Sequence, residues 1–284
     1  MKINKYPDGT SYVVLENIVE ESSWDTGGNY PMKFTFKTNT YEDLHHLEQI
    51  IDVYNHNGLE PLITIPNLLD AQADRRFNDN QSSGLKIVLK RLNSMNADFK
   101  IFHPHNPEVV EALMDNVEII DNSEFVKEVF DNITFNTEDL ILMSSDAGGF
   151  KPLMKLCDKI GWKGETYSAS KARLTGHSET RMKQLVDRQD FKGKDILIID
   201  DISVYGGTFK GLSKLLRERN CGKLYLAVSH MTVQNLGKDP VTNYFDKVFN
   251  TNSKFDKYSC EKTGIWVDGK VGYTPNNLEI IKLF

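Results

Sequence analysis

The chain has 284 residues, with 34 Lys and Arg against 40 Asp and Glu, and its formal net charge at pH 7 is −6. This length predicts two α/β lobes rather than one small core. The acidic balance argues against broad binding of nucleic acid, which needs a dense basic surface. No segment has the roughly 20 apolar residues of a membrane helix, and the N-terminus lacks a signal-peptide core. Three cysteines without a CxxC pair predict reduced thiols, so we expect a cytoplasmic protein that binds neither nucleic acid nor a membrane.

The predicted elements alternate along the chain between short apolar strands and amphipathic helices. Apolar runs typical of buried strands span 62–66, 98–102, 140–145, 196–200 and 224–229. Apolar residues at helical spacing occur in three segments, as Leu44, Leu47, Ile51 and Tyr54, as Leu85, Val88, Leu89 and Leu92, and as Phe209, Leu212, Leu215 and Leu216. Asn39 or Thr40 is the predicted N-cap of the first helix. This alternation predicts βαβ units with parallel sheets, in which ligands bind at the carboxyl ends of the strands.

The remaining segments predict the division of the chain. The stretch 121–139 is polar and ends in turn-forming residues, so we expect the lobe boundary near residue 135, with lobes spanning 1–135 and 136–284. Residues 6–15 predict a turn followed by an edge strand. The segment 251–276 is rich in Asn, Gly, Lys and Asp, and it predicts loops and short strands.

The strongest motif is ILIIDDISVYGGTF, residues 196–209, in which an apolar strand ends in Asp200 and Asp201. A short loop then leads through Gly206-Gly207-Thr208 into an amphipathic helix. Backbone N–H groups of a glycine-rich loop at a helix N-terminus bind phosphate, and paired carboxylates bind ribose hydroxyls or a divalent cation. The motif therefore predicts a sugar-phosphate site, although Gly-Gly-Thr alone is more typical of a solvated turn. It matches neither GxxxxGK[ST] nor GxGxxG.

Three further segments carry residues suited to catalysis or metal binding. Lys171 and Arg173 alternate in a polar stretch, where they could neutralise charge on a transferring diphosphoryl group or simply lie in an exposed loop. His105 follows a predicted strand and could bind a metal or phosphate, or be a surface histidine. Asp146 ends a strand beside two glycines, where an acid also commonly caps a helix.

The segment around Asp200 resembles the ribose-phosphate loop of type I phosphoribosyltransferases and ribose-phosphate pyrophosphokinases (phosphoribosyl pyrophosphate synthetases), usually hydrophobic-Asp-Asp-x-x-Asp-Thr-Gly-x-Thr. Segments similar to other pyrophosphokinase motifs follow the family's order along nearly the whole chain, and they span 6–15, 65–77, 102–108, 143–156 and 168–176. The resemblance implies an α/β fold of two Rossmann-like lobes with parallel sheets, of the type I phosphoribosyltransferase kind. It also implies an active site between the lobes.

The resemblance further implies residue roles. Lys171 and Arg173, on a flexible loop, would be catalytic, and His105 and Asp146 would bind the metal. The ribose phosphate would be bound by Asp200, Asp201, Val204, Tyr205, Gly206, Gly207 and Thr208. ATP would be bound by Tyr6, Asp8, Gln72, Asp74 and Arg75. The implied reaction transfers a diphosphoryl group from Mg-ATP to the anomeric hydroxyl of a ribose 5-phosphate moiety and releases AMP, and we expect a homo-oligomer.

Several positions depart from the usual motifs. The adenine-contacting Arg-Gln of the family is Gln72-Ala73 here, and His103 stands where the family has an acid. In the phosphate loop the usual Asp-Thr is Val204-Tyr205, which removes an acceptor and a hydroxyl and adds a ring that can stack on a base. This substitution predicts a larger acceptor. It is similar to a phage branch of the family that pyrophosphorylates ADP-ribose toward rebuilding NAD, in which case the enzyme would act in the host cytoplasm.

Two other functions fit the sequence. One is a phosphoribosyltransferase that consumes phosphoribosyl pyrophosphate without ATP, which the Lys-Ala-Arg segment argues against. The other is a catalytically silent regulatory member of the pyrophosphokinase family, which the altered adenine site favours. Retention of Lys171, Arg173, Asp200 and Asp201 argues against a silent member.

Overall fold

A computed structural model describes residues 1–16, 32–173, 182–254, 266–267, 270–271 and 275–284. The chain divides into two units, one of residues 1–121 with Phe284 and one of residues 122–283. The predicted boundary at 135/136 lies further along the chain. No helix within the described ranges is long and apolar enough to cross a membrane.

The first unit contains a hairpin and a parallel sheet. The hairpin pairs β1 (Lys2–Lys5) with β2 (Ser11–Val14), so a turn followed by a strand is found as predicted. The sheet has the order β3 (Met32–Thr35), β4 (Pro61–Ile65), β5 (Asp98–Phe102) and β6 (Val117–Ile120). The helices are α1 (Tyr41–His56), α2 (Gly84–Asn93) and α3 (Pro107–Leu113).

The first helix shows how local sequence starts an element of this unit. The Thr40 side chain accepts the N–H of Asp43, and the Asp43 carboxylate accepts the N–H of Thr40. This capping box satisfies backbone donors that would otherwise have no partner in the first turn. The apolar face predicted for the helix is buried, with Leu44 and Leu47 packed against strand β4 residues such as Ile63.

The second unit is built on a larger parallel sheet. Its helices are α4 (Ser123–Asp131), α5 (Phe150–Ile160) and α6 (Gly207–Glu218), with 3-10 turns at Val233–Leu236 and Val241–Tyr244. The strands are β7 (Leu140–Ser144), β8 (Glu165–Ser168), β9 (Ser170–Arg173), β10 (Met182–Leu185), β11 (Asp195–Ser203), β12 (Leu224–Met231), β13 (Lys247–Thr251), β14 (Trp266–Val267), β15 (Lys270–Val271) and β16 (Leu278–Ile281). The sheet order is β16-β13-β12-β11-β7-β8, and every neighbouring pair is parallel. The two parallel sheets confirm the predicted α/β class.

Strand β11 lies between β7 and β12 and is buried on both faces. Ile196 and Ile198 pack into a cluster with residues of α6, whereas Leu197 packs on the other face with residues of α4 and α5. Because successive side chains of a strand point to opposite faces, a strand covered on both sides must be apolar throughout. This explains the unbroken run ILII at 196–199.

The polar stretch 121–139, for which the sequence predicts no helix, contains α4 at residues 123–131. Phe125, Val126 and Val129 are fully buried, because they lie on one face of the helix and that face packs against the core of the second unit. The charged residues between them cover the outer face, and they give the segment its polar composition. In the 251–276 segment β14 and β15 are short strands as predicted, and most of the other residues lie outside the described ranges.

The packing of α4 gives a stability prediction. Phe125→Ala should lower the free energy of unfolding by about 3–5 kcal/mol, because it removes a large side chain from a closed core and leaves a cavity. Lys127→Ala, an exposed position on the same helix, should change it by less than about 0.5 kcal/mol. Urea unfolding followed by circular dichroism measures both. Equal, small effects of the two variants would contradict the burial of Phe125 in this core.

Candidate active site at the carboxyl end of β11

Near its carboxyl end, strand β11 carries two carboxylates that the fold holds by hydrogen bonds, and the strand continues for two residues beyond them to Ser203. The Ser145 hydroxyl, from the end of β7, donates to Asp200 Oδ2. The N–H of Asp201 donates to Asp200 Oδ1 at 2.9 Å, and the N–H of Ile202 donates to Asp201 Oδ1 at 2.8 Å. The neighbouring strands β7 and β11 therefore bring the predicted pair of acids and a hydroxyl to one edge of the sheet.

The environment of Asp200 disfavours its charge. Burial, and then the negative charge of Asp201, raise the pKa of Asp200 to about 8, while the hydrogen bond from Ser145 acts in the opposite direction. A carboxyl pair in this state either shares a proton or binds a group that supplies positive charge or hydroxyl donors. The pair can therefore accept a divalent cation or the hydroxyls of a sugar.

The loop after the acids turns sharply at Gly206. Its φ is +72°, and a Cβ there would lie 3.0 Å from both Asn235 Oδ1 and the Val241 side chain. Only glycine fits such a position without strain. Helix α6 begins at Gly207, where a Cβ would meet nothing within 4 Å, and Thr208 follows in the first turn. The first N–H groups of a helix have no partner inside it, so this open end is suited to binding phosphate.

The two unusual loop residues differ in exposure. Val204 is half-buried, whereas Tyr205 is 70% exposed, and its ring lies mainly in solvent rather than packed over the loop. An exposed ring beside a phosphate-binding turn is available to stack on a planar group of a ligand.

The sequence analysis did not identify the buried residues that hydrogen-bond to the backbone of the 203–206 loop. Asn235 is fully buried and Thr232 half-buried, and both lie in the segment that follows β12. They bind the backbone carbonyls of Ser203 and Val204. No local motif marks them, because their partners are about thirty residues away in the sequence.

Asp146 starts the segment that leads into α5. Its Oδ1 accepts the N–H groups of Gly148 at 3.0 Å and Gly149 at 3.2 Å. The carboxylate thus orders the turn before the helix, as the capping alternative implies. The metal-binding role predicted for Asp146 stays a prediction.

Lys171 and Arg173 lie in strand β9, whose antiparallel partner is β10. The register pairs Lys171 with Gln184 and Arg173 with Met182. The expectation of a loop was therefore wrong for residues 170–173, because ladder hydrogen bonds extend the backbone there. Residues 174–176 of the predicted catalytic loop lie outside the described ranges.

In the first unit, Tyr6 and Asp8 lie in the turn between β1 and β2. Asp8 Oδ1 accepts the N–H of Thr10 at 2.9 Å and its hydroxyl at 2.7 Å, and these bonds lower the pKa of Asp8. The Tyr6 ring is exposed and lies 4.6 Å from the ring of Tyr12. The turn thus presents a carboxylate and an aromatic ring to solvent.

The other predicted ATP-binding residues follow strand β4. Asp74 Oδ2 accepts a hydrogen bond of 2.9 Å from Asn106, the N-cap of α3, so the structure joins the segments after β4 and β5. Arg75 lies 5.3 Å above the ring of Phe77, and both side chains are about three-quarters exposed. Gln72 and His105 are also exposed.

Few of the described side chains could bind the predicted metal ion. Among the described residues, no group of three or more His, Cys, Asp or Glu side chains could hold a metal ion. His105 belongs to the first unit and Asp146 to the second. The Asp200–Asp201 pair supplies the oxygen donors that fit Mg²⁺, which commonly uses one or two carboxylates and completes its shell with water and substrate phosphates.

A family model described as the phosphoribosyl transferase domain matches residues 110–263, which is more than half of the chain. The chain belongs to this family. It is 24% identical to the ribose-phosphate pyrophosphokinase of Thermococcus kodakarensis, over 89% of this chain and 85% of that protein. It is 25% identical to the ribose-phosphate pyrophosphokinase of Pyrococcus furiosus, again over 89% and 85%.

Among solved structures, the phosphoribosylpyrophosphate synthetase from Mycobacterium smegmatis superposes with a TM-score of 0.73 at 16% identity. The match covers 99% of this chain and 85% of that one. The phosphoribosyl transferase domain, the named relatives and the shared fold together confirm the predicted resemblance and the predicted fold class.

The raised pKa of Asp200 predicts a pH-dependent gain in stability for Asp200→Asn. The unfolded state loses this proton near pH 4, whereas the folded state keeps it until about pH 8, so the parent loses stability as the pH rises between these values. Without divalent cations, Asp200→Asn should therefore raise Tm at pH 8 by at least about 2–4 °C, the shift that about 1 kcal/mol produces, and by less at pH 4.5.

Scanning calorimetry at the two pH values measures the difference. Asp187→Asn, an exposed acid of the same unit, is the control and should leave Tm nearly unchanged at both. A variant at Asp200 that is less stable than the parent at pH 8 would show that the carboxylate is held by favourable partners instead.

Proposed function

We propose that this protein is a diphosphotransferase that uses Mg-ATP to pyrophosphorylate the anomeric hydroxyl of a ribose 5-phosphate moiety, releasing AMP. The observation that carries the proposal is the carboxyl end of β11, where Asp200 and Asp201 precede, by a few residues, the turn at Gly206 and the N-terminus of α6. The coverage of the relatives named ribose-phosphate pyrophosphokinase supports it, since they match both units.

In this proposal the second unit binds the acceptor. Asp200 and Asp201 accept hydrogen bonds from the ribose hydroxyls, because paired carboxylates are suited to a vicinal diol. The N–H groups of Gly206, Gly207 and Thr208, with the Thr208 hydroxyl, bind the phosphate at the start of α6. Both sets of groups lie at the carboxyl edge of the sheet, the usual place for ligands in parallel α/β folds.

The proposed reaction needs positioning and charge neutralisation, and it forms no covalent intermediate with the enzyme. The anomeric hydroxyl loses its proton to solvent as its oxygen attacks the β-phosphorus of ATP. The bond from that phosphorus to the α-β bridging oxygen breaks, and AMP leaves with the bridging oxygen. Lys171 and Arg173 would neutralise charge that develops on the transferring group. Mg²⁺, held by carboxylates and ATP phosphates, would supply Lewis-acid stabilisation of the same charge.

For ATP we propose the residues that the sequence singled out in the first unit, which are Tyr6, Asp8, Gln72, Asp74 and Arg75. Their exposure supports this assignment, since a nucleotide can reach Tyr6, Gln72 and Arg75 without any rearrangement of the core. The Arg75 guanidinium already lies over an aromatic ring, so this stretch presents a flat cationic surface that suits a purine or a phosphate.

For the acceptor we propose ADP-ribose in preference to ribose 5-phosphate. The loop lacks the acid and hydroxyl that the related motif has at 204 and 205, and it has an exposed tyrosine ring instead. Each hydrogen bond lost to a dianionic phosphate costs about 1.5–3 kcal/mol. A base stacked on the ring would recover about 1–3 kcal/mol, which only an acceptor with a nucleoside can use.

The reaction class is tested by the products. With Mg-ATP and either acceptor, we expect one AMP for each acceptor consumed and no ADP, measured by liquid chromatography with mass spectrometry. Lys171→Ala should lower turnover at least about 100-fold while keeping the parent's Tm, because it acts on the transition state. Formation of ADP would indicate an ordinary kinase. Release of pyrophosphate from phosphoribosyl pyrophosphate without ATP would indicate a phosphoribosyltransferase.

The choice of acceptor is tested by exchanging the loop residues. We expect the parent to have a higher kcat/KM for ADP-ribose than for ribose 5-phosphate. In Val204→Asp/Tyr205→Thr the ratio should shift toward ribose 5-phosphate by about tenfold or more, since the exchange restores the threonine hydroxyl that donates to the phosphate and removes the ring. Tyr205→Phe is the matched control and should keep the parent's ratio. A parent that prefers ribose 5-phosphate would contradict the proposed acceptor.

A further inference from the structure

The buried side chain of Asn235 is bonded to the loop that carries the proposed phosphate site. The two N–H groups of its Nδ2 are shared among three carbonyl oxygens, those of Ser203 at 2.8 Å, Val204 at 2.9 Å and Thr232 at 2.9 Å. Its Oδ1 accepts the Ser203 hydroxyl at 2.5 Å. A single fully buried amide thus binds both the backbone and the side chain at the end of β11.

Thr232 adds a second set of bonds to the same carbonyls. Its hydroxyl donates to the Val204 oxygen at 2.6 Å, and its N–H donates to the Ser203 oxygen at 3.0 Å. In a planar trans peptide the C=O and the following N–H point in opposite directions. Because the Val204 carbonyl is fixed toward Thr232 and Asn235, the N–H of Tyr205 is directed away from them.

The amide of Asn235 also limits the shape of the turn. A Cβ on Gly206 would lie 3.0 Å from Asn235 Oδ1, closer than ordinary contact, so the turn packs directly on this side chain. Within the turn 203–206, Ser203 and Val204 are therefore bonded to Asn235, and Gly206 packs against it. Asn235, from the segment after β12, therefore fixes the conformation of the loop.

We propose that Asn235 is a positioning residue that holds the 203–206 turn in the conformation that binds the acceptor's phosphate. It acts through the loop and does not touch the ligand, because its side chain is closed to solvent. Thr232 assists it through the Val204 carbonyl. The inference rests on the proposed function only in taking this turn as the phosphate site.

Two variants remove different numbers of the hydrogen bonds that hold the 203–206 turn. Asn235→Ser removes the amide donors, and Thr232→Val removes one hydroxyl donor with little change in shape, so it keeps the test valid if the first variant folds poorly. Asn277→Ser is the matched control. The Asn277 amide also donates to two backbone carbonyls of this unit, those of Thr242 at 2.9 Å and Phe245 at 3.0 Å, which lie outside the 203–206 turn.

Two measurements separate positioning from general stability. Calorimetric titration gives the Kd of ribose 5-phosphate and ADP-ribose in the presence of Mg²⁺ but without ATP, and hydrogen exchange gives the protection of amides 204–208. We expect Asn235→Ser to weaken acceptor binding about tenfold or more and Thr232→Val about threefold to tenfold, with faster exchange in the turn. The KM of ATP should stay within about twofold. Asn277→Ser should lower Tm but leave both measurements at the parent's values.

The inference is overturned if Asn235→Ser and Thr232→Val bind the acceptor as the parent does. It is also overturned if Asn277→Ser weakens binding as much for the same loss of Tm, or if the parent binds neither acceptor. A parent that binds an acceptor but forms no AMP contradicts the proposed reaction alone, and the comparison of the variants then still supports the role of Asn235.

Discussion

The second unit depends on the burial of strand β11 between two parallel neighbours. Its apolar run is covered on one face by α6 and on the other by α4 and α5, so it cannot shift or tilt without opening both cores. A one-residue slip of a strand would exchange its faces. Burial of Ile196 to Ile199 therefore fixes where the next residues, Asp200 and Asp201, emerge at the edge of the sheet.

Because the strand is fixed, the protein can hold a carboxyl group where its charge is disfavoured and a backbone conformation that would otherwise be strained. Asp200 lies where burial and a neighbouring acid oppose its charge, and Gly206 lies where other residues would be strained. Such features persist only when the surrounding structure determines them, and they cluster at binding sites. Here the surrounding structure is the strand end, the hydroxyl of Ser145 and the amide of Asn235, each from a different strand connection.

Much of this could be predicted from the sequence because the decisive signals are local. The run ILIIDD places a buried strand and its acids, and glycine before an amphipathic pattern places the start of α6. Helix α4 was missed because its charged outer face dominated the composition, although Phe125, Val126 and Val129 have helical spacing. Strand β9 was missed because Lys171 and Arg173 belong to a short polar strand whose extended form depends on pairing with β10.

The role of Asn235 could not be predicted, for a different physical reason. Its partners are backbone carbonyls, which every residue has, so nothing in the side chains at 203 and 204 indicates what binds them. The same fact bears on the unusual loop. Since Val204 is held through its carbonyl, its side chain and that of Tyr205 can change while the turn keeps its shape.

This separation of backbone and side chain gives a physical basis for a change of acceptor within one fold. Phosphate binding by N–H groups at the start of α6 depends on the path of the turn, which Asn235, Thr232 and Gly206 determine. Recognition of what lies beyond that phosphate depends on the side chains that the turn presents, and Tyr205 is the most exposed of them. If the proposed site is correct, we expect side-chain substitutions at 204 and 205 to act on acceptor choice directly. We expect substitutions at Thr232 and Asn235 to act on all phosphorylated acceptors together.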